Sequence, residues 1–160
     1  MPLHPIEVET VLEAPPDRVW EEVRKPRLLL YVAAPWIRFD PVRPERLPDV
    51  WQDGEYVVSM RFYGAVPLGR QTIVISYLPP MGETRRLRDD GFGGVIRRWD
   101  HLMEVSPHPQ GALYRDTVAI DAGWLTPLVA AFAKRYYAHR QRRWRTLVAA
   151  EFDYARAERG

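Results

Sequence analysis

The sequence predicts an α+β fold in which a meander of six to seven antiparallel strands is covered by one long C-terminal helix. Three observations predict it. Apolar and polar residues alternate over most of residues 54–121, the period of half-buried strands. Turn signals separate the runs: Asp53-Gly54, Gly64 to Gly69, Pro79-Pro80 with Gly82, GFGG and SPHPQG. Joined so closely, neighbouring strands pair antiparallel. From Thr126-Pro127 onward the period becomes helical, and no breaker interrupts it before the end. An antiparallel sheet needs apolar cover on one face, and this last element supplies it.

The elements follow in order. IEVETVLEAP alternates Ile6, Val8, Thr10 and Leu12 against Glu7, Glu9 and Glu13, so one face is core and the other water. APPDRVWEEV begins a helix, with proline suited to the first turn and Asp17 to the positive dipole end. After Lys25-Pro26, RLLLYVAAPW forms a second short helix ending near Trp36, and Pro41, Pro44 and Pro48 mark an irregular connection. The next strand places Tyr56, Val58, Met60 and Phe62 on one side, and RQTIVISYL places Ile73, Ile75 and Tyr77 together. TRRLRDD is a polar strand, and GFGG, without the context of a phosphate loop, is a turn or kinked bend. VIRRWDHLMEV aligns Val95, Arg97, Trp99, His101, Met103 and Val105, and ALYRDTVAID aligns Tyr114, Asp116, Val118 and Ile120. At about 100° per residue, one side of the long helix carries Leu125, Leu128, Val129, Phe132, Tyr136, His139, Arg143, Leu147 and Ala150.

Composition removes several function classes. The 160 residues read as one domain, 1–160, large enough for a core with a hole in it. Without cysteine, thiolate metal sites and cysteine nucleophiles are excluded. The four histidines, His4, His101, His108 and His139, lack metal-ligand spacing, so no metal and no cofactor is expected. The N-terminus lacks a basic leader and an apolar signal core, and no apolar run reaches the roughly 20 residues that span a bilayer, so a cytoplasmic location is expected. A formal charge of +2 argues against a general polyanion binder. Arg135, Arg142 and Arg145 point away from the core stripe and Arg140 lies near its edge, so most of these arginines read as surface groups.

Strand, two short helices, antiparallel strands and a long closing helix, in that order, resemble the helix-grip fold of the START-related or SRPBCC superfamily. The echoes are VETVLEAPPDRVWEEV, WDHLMEV followed by GALYRDTVAID, and FAKRYYAHRQRRWRTL, which is similar to the closing helix of polyketide cyclase/dehydrase-like members. The resemblance spans almost the whole chain without a catalytic motif. It implies a curved sheet wrapped around the long helix and a cavity for lipid-, polyketide- or aromatic-like ligands.

Such a cavity would draw Met60, Phe62, Ile73, Ile75 and Tyr77 from the first strands of the meander and Trp99, Met103, Tyr114, Val118 and Ile120 from the last. Arg97, His101 and Asp116 share those faces, and the helix adds Tyr136, His139 and Arg143. An apolar wall with a few convergent polar groups suits an apolar or amphipathic small molecule. His139 and Arg143, four residues apart, would meet one head group. The expected function is a carrier or sensor. A polyketide-cyclase or aromatase-like enzyme moving a proton with His139, His101 or Asp116 is the competing class. A third is an interaction module, as a homodimer or as a nucleic-acid binder using Tyr137 and Trp144 among arginines.

Overall fold

The computed structural model describes residues 5–160, so His4 lies outside the described residues. Strand β1 (Ile6–Leu12) leads into helices α1 (Pro16–Val23) and α2 (Pro26–Ala33). Then follow β2 (Ile37–Arg43), β3 (Gly54–Phe62), β4 (Val66–Met81), β5 (Thr84–Gly93), β6 (Ile96–His108) and β7 (Gly111–Asp121). A 3-10 turn, Gly123–Leu125, opens the long helix α3 (Thr126–Ala149), and α4 (Tyr154–Glu158) closes the chain. The seven strands form one antiparallel sheet ordered β1-β7-β6-β5-β4-β3-β2, curved around α3 in a helix-grip arrangement.

Strand registers follow the alternation. His101 pairs with Val118 and Ile6 with Val118 on its other side, so β1, β7 and β6 present the same face to the helix. Tyr56, Val58, Ile73, Ile75, Leu87, Met103, Val105, Tyr114 and Val118 are all buried there. The segment expected to be an irregular connection contains β2 instead. Pro41 is tolerated because β2 is the sheet edge, where a missing N–H removes no ladder bond, and the pairing shifts between Pro41 and Arg43.

GFGG spans the end of β5 and its turn, with Gly94 at φ +57°. Gly93 has a steric reason: a Cβ there would press into the Arg70 carbonyl and lie 2.7 Å from Gln71 Cα on β4. Gly111, at φ +137°, opens β7 where a Cβ would meet the Leu12 carbonyl and lie 2.8 Å from Ala14 N.

The closing helix also departs from expectation. It stops at Ala149 without glycine or proline, and Glu151 and Phe152 take φ of +55° and +62°. Packing accounts for this unfavoured backbone. Phe152 lies under Arg18, 4.0 Å from guanidinium carbon to ring centroid, and the Tyr154 hydroxyl donates to Glu22 Oε2 at 2.5 Å. Glu22 is buried on α1, where Arg18 and Lys25 also reach its carboxylate at 2.6 and 2.8 Å. Burial alone would raise its pKa, but Lys25, Tyr154 and Arg18 together hold it below the usual range. The buried stripe of α3 is rotated from the expected one. Ala133, Tyr136, Tyr137, Arg140, Gln141, Trp144 and Leu147 face inward, whereas Leu128 is 70% exposed.

Candidate functional site

Between the sheet and helices α2 and α3 lies a cavity of about 350 Å³. Its wall is mostly apolar and aromatic: Phe39 on β2, Met60 and Phe62 on β3, Ile73 and Ile75 on β4, Trp99 and Met103 on β6, and Phe132, Tyr136 and Tyr137 on α3. Five polar side chains reach it, Lys25, Gln71, Asp89, His101 and Arg140. Strand alternation delivers the sheet residues, and the spacing of Tyr136, Tyr137 and Arg140 presents three side chains to the same space from about one helical turn.

Behind His101 is a buried polar network. Asp116 Oδ1 accepts from His101 Nε2 at 2.6 Å and from the Tyr114 hydroxyl at 2.7 Å, and Oδ2 accepts from Gln141 Nε2 at 3.1 Å. Gln141 also donates to the Val8 carbonyl at 2.6 Å, tying α3 to β1. Burial would raise the Asp116 pKa, but His101, Arg140 and Tyr114 lower it below the ordinary carboxylate value. The ionised carboxylate can only accept, so the His101 proton sits on Nε2. Burial, helped by Arg140, lowers the His101 pKa against the pull of Asp116. The ring is therefore neutral near pH 7, and its Nδ1 is an unprotonated acceptor.

Asp89 enters from β5, its Oδ1 accepting the Val74 N–H at 2.9 Å. The residue is half-buried and lines the cavity. Burial raises its pKa to about 7, with the Val74 N–H and Arg140 opposing and Asp90 and Asp100 reinforcing the rise. A carboxylate with an ordinary value of 3.8 thus holds its proton in the folded state after the unfolded chain has released it. This linkage makes folding stability fall as pH rises from about 4 to about 7, then level off. Asp89→Asn should abolish that component. In melting curves at pH 4.5 to 8, the variant should gain on the wild type up to about pH 7 and hold a constant lead above it. A gap independent of pH would show that Asp89 ionises as in the free chain.

Arg140 is 6% exposed and lies on the cavity wall. Its guanidinium carbon stands 4.8 Å from the Tyr137 ring centroid and 5.6 Å from that of Tyr136. Among the described residues no carboxylate lies within ion-pair distance of it, and its Nε is buried without a hydrogen-bond partner, as is the Tyr136 hydroxyl.

Of the residues expected in the cavity, Met60, Phe62, Ile73, Ile75, Trp99, His101, Met103 and Tyr136 line it. Eight others do not, each for a local reason. The Tyr77 hydroxyl donates to the Trp51 carbonyl at 2.7 Å, and its ring packs edge-on to Trp20. Arg97 is exposed, its guanidinium folded over Gly123. Tyr114 and Asp116 lie in the network behind His101, with the Tyr114 ring 5.4 Å from Trp144. Val118 and Ile120 pack into the cluster containing Ala133 and Tyr137. His139 bonds the Ala34 carbonyl through Nε2 at 2.8 Å and stacks on Trp36 at 5.0 Å. Arg143 donates Nε to the Tyr31 carbonyl at 3.1 Å with its guanidinium 4.0 Å above the Tyr31 ring. The expected head-group pair, His139 and Arg143, therefore fastens α3 to α2 and the segment after it.

Arg140, Asp89, Gln71 and Tyr137 were not expected in the cavity. Asp89 had a legible signal, since it lies midway between Leu87 and Gly91, the two buried residues of β5, at the period of one strand face. Arg140 had a weaker one, four residues beyond Tyr136. Among the described residues no group of three or more His, Cys, Asp or Glu could hold a metal ion, and no helix is long and apolar enough to cross a membrane.

Residues 10–148 match the model of a family described as a domain of unknown function (DUF8410). No curated protein matches the chain. Solved structures do. A Chromobacterium violaceum protein is 20% identical with a TM-score of 0.61, over 92% of this chain and 98% of its own. The AHSA1 protein from Silicibacter pomeroyi is 12% identical, TM-score 0.61, over 92% and 99%. The Aha1 dimer from Colwellia psychrerythraea is 14% identical, TM-score 0.59, over 91% and 96%. At such identities the likeness is one of fold.

Proposed function

We propose that this chain, which belongs to the DUF8410 family, is an SRPBCC-type domain, residues 1–160, that binds an apolar or amphipathic small molecule in its internal cavity as a carrier or sensor. One observation carries the reading: a cavity of about 350 Å³ with an aromatic and aliphatic wall and few polar groups. That volume falls within the range of small-molecule sites, and the composition supplies apolar area for affinity and polar groups for orientation. Nothing in this role needs a metal or cofactor. A cytoplasmic setting and a homodimer are compatible with it, the latter prompted by the dimeric Colwellia psychrerythraea neighbour.

A second reading is favoured by one specific feature. A neutral His101 that keeps Nδ1 as acceptor while Nε2–H is fixed by an ionised Asp116 is a held general base, the arrangement a polyketide-cyclase-like proton transfer requires. Native mass spectrometry of the purified protein, followed by incubation of each retained or added ligand, separates the two. A carrier returns its ligand unchanged, and an enzyme converts it. A panel of apolar, aromatic and amphipathic compounds should contain ligands that raise the melting temperature in a saturable way. If none does, the cavity is closed to ligands and both readings fail.

A further inference from the structure

We propose that the cavity selects ligands bearing a single carboxylate, with Arg140 as the anchor of that head group and the apolar tail lying against the sheet. This rests on the ligand-binding reading above and names the class of molecule the site takes.

The buried charges are unevenly partnered. Glu22 is met by Arg18, Lys25 and Tyr154; Asp116 by His101, Tyr114 and Gln141; Asp89 by the Val74 N–H. Arg140 is 6% exposed, yet no carboxylate among the described residues lies within ion-pair distance of it, its Nε has no hydrogen-bond partner, and its guanidinium lies over the faces of two tyrosine rings. A guanidinium carries five donors in a planar fork and cannot shed its charge. Left unbonded in a low-dielectric wall it is unfavourable, and an oxyanion accepting two parallel hydrogen bonds would relieve that. The Tyr136 hydroxyl, one helical turn away and also unpartnered, is a further donor within the same wall.

The surroundings set the charge of the head group. Facing Arg140 are Asp116 on β7, Asp89 on β5, and His101 on β6, which is neutral. Ionised Asp116 opposes any added negative charge, and so opposes a dianionic phosphate more than a monoanionic carboxylate, while Asp89, raised to about 7, adds only part of a charge at that pH. Gln71, beside Asp89, is neutral and adds no charge of either sign. Lys25 lines the same cavity from the start of α2 but is engaged by Glu22 at 2.8 Å, so its charge is already countered.

The test uses matched sets: a mid-length alkanoic acid and an arylalkanoic acid, each beside its methyl ester, its primary alcohol and the corresponding alkyl phosphate. Binding is read by calorimetry at pH 7 with wild type, Arg140→Met, Arg140→Lys and, as a surface control, Arg142→Met. The acid should bind wild type and Arg142→Met about 10- to 100-fold more tightly than its ester, the span of hydrogen bonds to a charged group. Arg140→Met should remove that preference while retaining the ester, and Arg140→Lys, which keeps charge but not the fork, should fall between. If Arg140→Met proves unfolded, a reduced acid-to-ester ratio in Arg140→Lys serves the same purpose. Equal affinity of wild type for acid and ester overturns the head-group assignment while leaving the cavity reading intact, as does tighter binding of the phosphate. Absence of binding by every compound, esters and alcohols included, is the separate failure of the cavity reading.

Discussion

Val118→Asp should unfold the protein or lower its stability by several kcal/mol, about the penalty for placing an unpaired charge in an apolar environment. Val118 is 1% exposed, lies between Ile6 and His101 in the sheet register, and packs against the α3 residues Ala133 and Tyr137. Its cluster neighbours are apolar, and His101 beside it is already bonded to Asp116. Thr117→Asp, one residue away on the opposite face, is the comparison. It would stand opposite Glu7 on β1, a like-charge pairing that costs a few tenths of a kcal/mol up to about 1. Chemical denaturation of both variants reads the difference directly. Equal losses would mean the faces of β7 are not distinguished by burial.

Asp116→Ala should be as damaging, by about 3 to 5 kcal/mol, because it leaves His101, Tyr114 and Gln141 facing one another with their common acceptor gone. The loss reaches beyond β7. Gln141 links α3 to β1 through Val8, and Tyr114 lies against Trp144, so the network fastens the helix to the middle of the sheet. Asp116→Asn keeps the shape and one acceptor oxygen, and should lose less than the alanine variant. Its amide cannot satisfy all three donors, so some loss remains. Freed from Asp116, the His101 ring should also titrate at a still lower pH, since its hydrogen bond and charge now raise its pKa. Proton chemical shifts of the ring against pH in the asparagine variant would check this. An unchanged midpoint would mean that Asp116 does not govern the protonation of His101.

These two variants also mark the limits of what pattern can convey. Alternation placed Val118 and Asp116 on the inner face, and both are inside. It did not tell depth. Val118 packs under α3, Asp116 sits behind His101, and only His101 reaches the cavity, although all three share one face. Position along the strand relative to the crossing helix decides which of them meets open space, and that crossing is set by contacts between segments distant in the chain.

The helix shows the same limit more sharply. A spacing of three and four residues put His139 and Arg143 on a stripe with Tyr136, whereas the buried stripe runs through Tyr137, Arg140, Gln141 and Trp144. Hydropathy alone assigns arginine and glutamine to water. Arg140 is inward because tyrosine rings flank it, and Gln141 because Asp116 and Val8 accept its amide hydrogens. Those partners come from other elements, so a helical pattern read by itself has no access to them.

By itself the sequence determined the order of the elements, the antiparallel meander, the inward face of most strands and the need for a long covering helix, because each follows from local periodicity and from glycine and proline geometry. The tertiary structure alone decided that β2 completes the sheet edge, that the last helix ends before two residues of positive φ, one of them packed under Arg18, and that the arginine on the cavity wall is Arg140 and not Arg143. Each of these depends on which side chains meet across long separations in the chain. A buried charge is tolerated or exposed according to those neighbours, and local pattern carries no record of them.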